Sequence, residues 1–407
     1  MLPNISNSQT QIPEIGPAQT GFDQAEITAT QAERASLMVQ PALDKFLPGQ
    51  SQKSLAQLVQ TRITRPLEAI HTDQILVVTK ASKVELDCQR YRMTTNELRE
   101  FYNQQGADTD RIFESHYRQQ TALTDLIQRL PAGRVINRTQ LAAMQEAGTF
   151  DDFLSTTKAV ISLGGDNHFQ WVAEQMRSQS DLKLIGMNSD PQTSHGKLLQ
   201  VSAKDLDPML KALESGDYQV QEWARLKVKV GSGPEIAAIS EIFIGERERT
   251  QMSRNHVLIY DAQDQLIYSY EDKSSGMIIA TGCGASGWIR AAGAQLGDLI
   301  QIERGSDLAM ILSTEIFSSA PQNESEGPSP LLPMTAKEFV IPRGAKLVIE
   351  SLNDSEGIVS CDSQPTVSFP RISSKSNKAV IHFDTTGLKV LIPEITSRKD
   401  SSQDLIN

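Results

Sequence analysis

Four stretches of this 407-residue chain combine glycines with carboxylates or hydroxyls at spacings that suit ligand chemistry. The first is Gly164-Gly165-Asp166, after the apolar run Ala159 to Leu163. An apolar run ending in two glycines reads as a buried strand that turns sharply, and a helix opening near Asn167 aims free N–H groups back at the turn. A carboxylate there repels phosphate, so Asp166 is either a helix cap or a reacting group, and taken alone the cap is the simpler reading. The second is Asn188-Ser189-Asp190-Pro191 with Ser194 and Gly196, again just past an apolar run. Two such loops at the carboxyl ends of α/β strands face one crevice, although an Asx-Pro turn explains this one equally well. The third, Ser240-Glu241 before an apolar strand, could grip hydroxyls, but more often such a pair is a strand edge with one solvated residue. The fourth, Thr281-Gly-Cys-Gly-Ala-Ser-Gly-Trp288, fits G-x-G-x-x-G through Gly282, Gly284 and Gly287. Taken literally it is a dinucleotide fingerprint and suggests a Rossmann-type oxidoreductase. The strands before it are hairpin-like, however, and it reads better as a phosphate or nucleoside loop. Cys283 within it has no histidine nearby and reads as a small buried thiol. Gly196-Lys197 lacks the rest of a P-loop, and the six histidines show no metal-ligand spacing, so no structural metal is assigned.

The elements around these loops fall into two kinds. Gln74 to Lys80 reads as a strand, Thr94 starts a helix with Glu97 closing a capping box, and Thr109 to Leu130 reads as a second helix. Gly133 to Asn137 is a strand, Gln140 to Glu146 a short helix and Leu182 to Met187 a further strand. A helix follows with Pro208 in its first turn, ending at Gly216. This alternation implies a mostly parallel sheet. After Trp223 the pattern changes to many short strands: Arg225 to Val230, Ile236 to Ile244, His256 to Asp261, Gln265 to Tyr270, Met277 to Ala280, Glu338 to Ile341, Lys346 to Ser351, Ile358 to Cys361 and Thr366 to Phe369. They indicate an all-β, sandwich-like domain. The expected organisation is a low-complexity, disordered extension over 1–65, with a helix possible over Ser51 to Ile63. An α/β domain over 66–222 and a β-sandwich over 223–375, carrying the 281–288 loop, follow. A final strand lies within 376–393, in which Lys378 to Phe383 is the candidate, and a tail covers 394–407. Ala320 to Pro333 reads as a long loop.

The formal charge of −11 argues against non-specific nucleic-acid binding and against a basic membrane-docking face. Three widely spaced cysteines make neither a disulfide framework nor a zinc pattern. No run is long enough to span a membrane, and the N-terminus lacks signal-peptide character. A cytoplasmic protein is expected.

In order and spacing, the four loops resemble the NAD kinase family, closest to the subgroup that includes the mitochondrial type. That group carries G-G-D-G-T, N-T-D-P-x-x-S-x-G, N-E-V-F-I-G-E, K-S-S-G and T-G-x-G-x-x-x-W. Here the matching text is Gly164-Gly-Asp166, Asn188 to Gly196, Ser240 to Glu246, Lys273-Ser-Ser-Gly276 and Thr281 to Trp288. Cys361-Asp362-Ser363-Gln364 is similar to the family's D-G-Q turn. The resemblance spans about Ile75 to Val390. It implies an α/β domain plus a β-sandwich whose last strand returns to the first domain, and a homo-oligomer, dimer or tetramer. It implies transfer of a phosphoryl group from ATP or polyphosphate, with Mg²⁺, to the 2′-hydroxyl of the adenosine ribose of NAD. Asp166 then orients and deprotonates that hydroxyl, Gly164 and Gly165 leave room for the nucleotide, Glu241 holds a ribose or the nicotinamide end, and the Thr281–Trp288 loop holds the adenosine. The implied nucleotide-binding set is Gly164, Gly165, Asn188, Asp190, Ser240, Glu241, Thr281, Gly282, Gly284 and Ser286. Departures cluster on the ligand side: Asn167 and His168 replace glycine and threonine, Ser240 replaces asparagine, and Cys283 and Ala285 remove hydroxyls. Two readings follow, an altered substrate or donor, and a degenerate homologue that senses a nucleotide without turnover.

Overall fold

A computed structural model describes residues 60–179, 181–248, 250–293, 302–316, 338–353, 356–362, 364–371 and 378–395. The first half alternates strands and helices: β1 (Arg62–Thr64), β2 (Ile75–Thr79), α1 (Lys83–Tyr91), α2 (Thr95–Gln104), α3 (Thr109–Arg129), β3 (Val135–Asn137), α4 (Arg138–Glu146), α5 (Phe150–Leu154), β4 (Ala159–Gly164), α6 (Asp166–Gln175), β5 (Lys183–Asn188), β6 (Val201–Ser202), α7 (Leu206–Ser215) and β7 (Tyr218–Trp223). Short antiparallel strands follow: β8 (Leu226–Val230), β9 (Glu235–Ala238), β10 (Glu241–Glu246), β11 (Ser253–Tyr260), β12 (Leu266–Ser274) and β13 (Gly276–Thr281). After them come α8 (Trp288–Gly293), β14 (Leu308–Thr314), β15 (Glu338–Pro342), β16 (Lys346–Ser351), β17 (Gly357–Cys361), β18 (Val367–Ser368), β19 (Lys378–Phe383) and β20 (Leu388–Pro393).

The first sheet runs β1-β7-β20-β5-β4-β2-β3, with β6 beside β5. Strands β2 to β5 are parallel, with Gly164 opposite Asn188 at their carboxyl ends. Every residue of β2 and β4 is buried, as continuous apolar runs require when helices cover both faces. One face packs Leu76, Val78 and Val160 under Phe169 and Val172 of α6, and the other packs Val77 and Ile161 under Leu126 of α3 and Met209 of α7. Two six-stranded antiparallel sheets, β15-β14-β13-β10-β17-β18 and β12-β11-β16-β19-β8-β9, enclose a core of Leu226, Ile242, Ile279, Ile311 and Ile349. The fold is therefore α/β with a mostly parallel sheet, followed by a β-sandwich-like part.

The Thr94 capping box forms, with the Glu97 N–H on Thr94 Oγ1 at 3.3 Å. Several expectations differ from the structure. Ile236 to Ile244 is two strands, interrupted at Ile239 and Ser240. Lys378–Phe383 pairs with β16 and β8, and a further strand, β20, adds to the first sheet between β7 and β5. Helix α1 and strands β7 and β14 were not anticipated. Arg62 and Ile63 are strand, not helix. The readings for residues 1–59, for Ala320 to Pro333 and for the tail from 396 lie outside the described residues.

Candidate functional site

Strand β4 delivers Gly164 and Gly165 to the carboxyl edge of the parallel sheet, and α6 starts at Asp166. Asp166 is the first residue of α6 and not its N-cap, a position that Gly165 holds. The Asp166 carboxylate accepts the backbone N–H of Lys197 at 3.1 Å and of Leu198 at 2.9 Å, so it is fixed across the turn against the loop after β5. That loop is held from within. The Asn188 amide donates to Ser194 O at 2.9 Å and accepts the Asp190 N–H at 3.0 Å. The buried Asp190 carboxylate accepts Ser115 Oγ at 2.5 Å, Arg118 Nε at 2.7 Å and the Thr193 hydroxyl, which ties the loop to α3. Those hydrogen bonds hold its pKa below the ordinary aspartate value against the opposite pull of burial.

The two departures beside Asp166 have different consequences. Asn167 is exposed in the first turn of α6 and its φ is not positive, so the turn does not require glycine there. His168 is buried, and its ring lies over Gly164, where an added Cβ would come within 2.8 Å of the imidazole. Burial, helped by the nearby charges of Arg138 and Lys80, pushes the His168 pKa down to about 3, so the ring is neutral. Nε2–H then donates to Val78 O at 3.0 Å, and Nδ1 accepts from the Arg138 guanidinium at 3.0–3.1 Å.

On the antiparallel side, β9 ends and β10 begins around the carboxylate of a half-buried aspartate. Asp362, in a left-handed conformation at φ 42°, accepts the N–H groups of Ile239, Ser240 and Glu241 at 2.7, 3.1 and 2.9 Å. Burial raises its pKa to about 6 even so. Glu241 is raised to about 7, first by burial and then by the Asp362 charge. The Glu241 carboxylate faces the turn after β13: a Cβ on Gly284 would lie 3.0 Å from Glu241 Oε2 and 2.3 Å from Ser240 O. Gly282 is equally constrained, since its Cβ would strike Glu303 O at 1.8 Å. Thr281 locks the two segments together, its N–H on Ser240 O at 2.9 Å and its hydroxyl on Ile239 O. Cys283 is buried and its thiol pKa is pushed far up by burial, which removes it as a nucleophile. Ser286 ends the short 3₁₀ turn Gly284–Ser286 at partial exposure. Because β13 lies between antiparallel neighbours, the glycine run is not the turn of a parallel βαβ unit, and the Rossmann-type oxidoreductase reading is withdrawn.

Side-chain hydrogen bonds at α6 join the two sides, and Arg177, just past the helix, donates to Glu235 O of β9 at 3.0 Å. Gln170, one turn after Asp166 on α6, donates to Ser240 Oγ at 3.0 Å. At the other end of α6, buried Arg225 donates to Ala173 O at 3.0 Å, satisfying a terminal carbonyl of the helix. The four glycine and carboxylate loops therefore form one continuous set of contacts. Gln170, Arg138, Lys80 and Arg225 were not singled out from the sequence as site residues, His168 entered only as a departure from the resembling family, and Asp362 only through a turn motif. A polar residue one helical turn past a candidate Asp, and cations just past the ends of β2 and β3, are the signals that could have found most of them.

No family model matches the chain. It is similar to an NAD kinase of Heliobacterium modesticaldum, 22% identical over 58% of this chain and 75% of that protein. It is also similar to an NAD kinase of Methanopyrus kandleri, 24% identical over 33% of this chain, an alignment that spans 45% of that relative. Among solved structures, yeast NADH kinase complexed with NADH superposes with a TM-score of 0.52 at 11% identity, covering 86% of this chain and 97% of that one. The chain is thus similar to NAD kinases in sequence, at low identity, and shares the fold of the NADH kinase structure.

Proposed function

We propose that this NAD kinase-like chain is a phosphotransferase that moves a phosphoryl group from ATP or polyphosphate to the 2′-hydroxyl of the adenosine ribose of NAD, giving NADP. The observation that carries this reading is the placement of Asp166. Its carboxylate sits at the carboxyl edge of a parallel sheet, fixed by the N–H groups of Lys197 and Leu198, on a helix whose Gln170 reaches the Ser240-Glu241 turn. A carboxylate fixed in that way can accept the proton of the attacking hydroxyl while the new O–P bond forms and the donor's O–P bond breaks. Glu241 and the Thr281–Ser286 turn, with Gly282 and Gly284 giving close backbone approach, receive the nucleoside. Asn188 and Asp190 shape the loop facing Asp166. Among the described residues no cluster of three metal-ligating side chains exists. That fits Mg²⁺ arriving on the donor's phosphates, where it would neutralise charge, better than a resident protein cage. No helix among the described residues is long and apolar enough to cross a membrane. We place the protein in the cytoplasm, as a homo-oligomer.

Incubation of the pure protein with NAD, ATP or polyphosphate, and Mg²⁺ tests the proposal. NADP should accumulate, and Asp166→Ala should abolish it; no NADP from the wild type would sink the enzymatic form. A second reading, a nucleotide sensor without turnover, is favoured by the His168 ring seated over Gly164. It requires NAD or ATP binding by calorimetry with no product.

A further inference from the structure

A cleft of about 840 Å³ opens at the carboxyl ends of β2 and β3, lined by Thr79, Lys80, Ser82, His116, Arg138 and Ser189. It meets the Gly-Gly-Asp turn at Ser189, whose N–H lies 3.3 Å from Gly164 O. Arg138, the first residue of α4, is half-buried and held from behind. His168 Nδ1 accepts its guanidinium, which also lies 4.5 Å above the Trp171 ring. Lys80 is reached by solvent from inside the concavity. Among the described residues neither cation has a carboxylate partner. Lost hydration lowers both pKa values, and the Arg138 charge lowers that of Lys80 further. Glu85, the acidic group of the wall, is engaged with the Ser82 N–H at 2.7 Å. The first turn of α1 opens at the same place. Two partly desolvated cations lining one cleft without a carboxylate partner among the described residues are a standing cost that an anion removes. A neutral histidine that can only accept from Arg138 leaves the rest of the guanidinium fork free.

We infer that Lys80 and Arg138 form a subsite for a chain of phosphates, with His168 as the positioning residue that aims Arg138. This rests on the phosphotransferase reading and assigns the donor's phosphates to the β2–β3 side of the crevice. The shared chemistry is the polyphosphate chain, borne by a nucleoside triphosphate or by inorganic polyphosphate.

The test is calorimetric titration of the full chain with tripolyphosphate, with Mg·ATP and with NAD, for the wild type, Lys80→Ala, Arg138→Ala, Arg138→Lys, His168→Val and His168→Asn. Each alanine variant should weaken tripolyphosphate and ATP by about tenfold or more and leave NAD unchanged. Arg138→Lys, which keeps the charge and loses the fork, should fall between. His168→Asn, which retains an acceptor near Nδ1, should restore part of the affinity that His168→Val loses. A merely structural histidine would not give that rescue. Sensitivity of ATP alone identifies a nucleoside triphosphate, and sensitivity of both identifies the phosphate chain itself. Intact, variant-sensitive phosphate binding without NAD binding keeps the subsite and removes the kinase reading. Alanine variants that bind both phosphates like the wild type, or a wild type that binds neither, would overturn the inference.

Discussion

On the parallel-sheet side of the crevice, Asp166 meets backbone N–H groups at an open edge, and its neighbours Arg138 and Lys80 are cations without carboxylate partners among the described residues. On the antiparallel side the charges are acidic and only partly exposed: Asp362 accepts the N–H groups of Ile239 to Glu241, and the Glu241 pKa is raised to about 7. The two sides thus offer positive charge to one part of a ligand and weakly acidic carboxyls to another. Phosphates suit the first. A carboxyl that titrates near neutrality suits neutral sugar hydroxyls, because it can either accept or donate a hydrogen bond. The reaction proposed above, with a phosphorylated donor and a ribose acceptor, would call for this division.

The comparison can be broken most severely at Asp362. Asp362→Ala strands three N–H groups and leaves Arg225 short of one favourable charge. We expect a stability loss of about 3 kcal/mol or more, with NAD affinity falling in the protein that remains folded. Thermal denaturation checks it, and an unchanged midpoint would mean that the Asp362 carboxylate does not hold the Glu241 turn.

A pH titration of stability sharpens the contrast. Glu241 and Asp362 bind protons more tightly in the folded chain, near 7 and 6, than at their ordinary values of 4.5 and 3.8. The unfolded chain therefore ionises first, and the raised carboxyls make stability fall as pH rises from about 4 to 7 before levelling. Glu241→Gln should remove the upper part of that fall, on the order of 2 kcal/mol. Parallel wild-type and variant curves between pH 5 and 7 in denaturant melts would contradict it.

The smallest effect is expected where the two sides meet. Gln170→Ala removes the donor to Ser240 Oγ inside a buried contact. The loss should be about 1–2 kcal/mol. A drop in NADP formation larger than any drop in NAD binding would locate the coupling in alignment of the two sides, whereas equal drops would locate it in binding.

The parallel sheet was legible because its strands are continuous apolar runs ending in glycine, and the turn after β4 carries its chemistry in consecutive residues. The antiparallel side was less so. Ile236 to Ile244 reads as one strand because the break at Ile239 is caused by Asp362, more than a hundred residues away in the chain. Strand β7 buries Tyr218, Val220 and Trp223 and leaves the polar residues between them partly exposed, so it passes for a surface segment until β20 pairs with it. Asn167 is one of the departures, since glycine stands there in the resembling family. The helix accommodates it without strain, and His168, one position on, rebuilds the surroundings through Val78 and Arg138. Contacts of that range carry no local sequence pattern, so residue type alone could not separate a ligand neighbour from a buried anchor.

The most direct measurement is the rate of NADP formation by the wild type and Asp166→Asn, with the NAD dissociation constant of each. Asp166 accepts the Lys197 and Leu198 N–H groups on separate oxygens, so asparagine keeps an acceptor for one of them and cannot take a proton from a hydroxyl. We expect the rate to fall by about 10²–10⁴-fold with NAD affinity nearly unchanged. Asp166→Asn forming NADP at the wild-type rate would contradict the role given to Asp166.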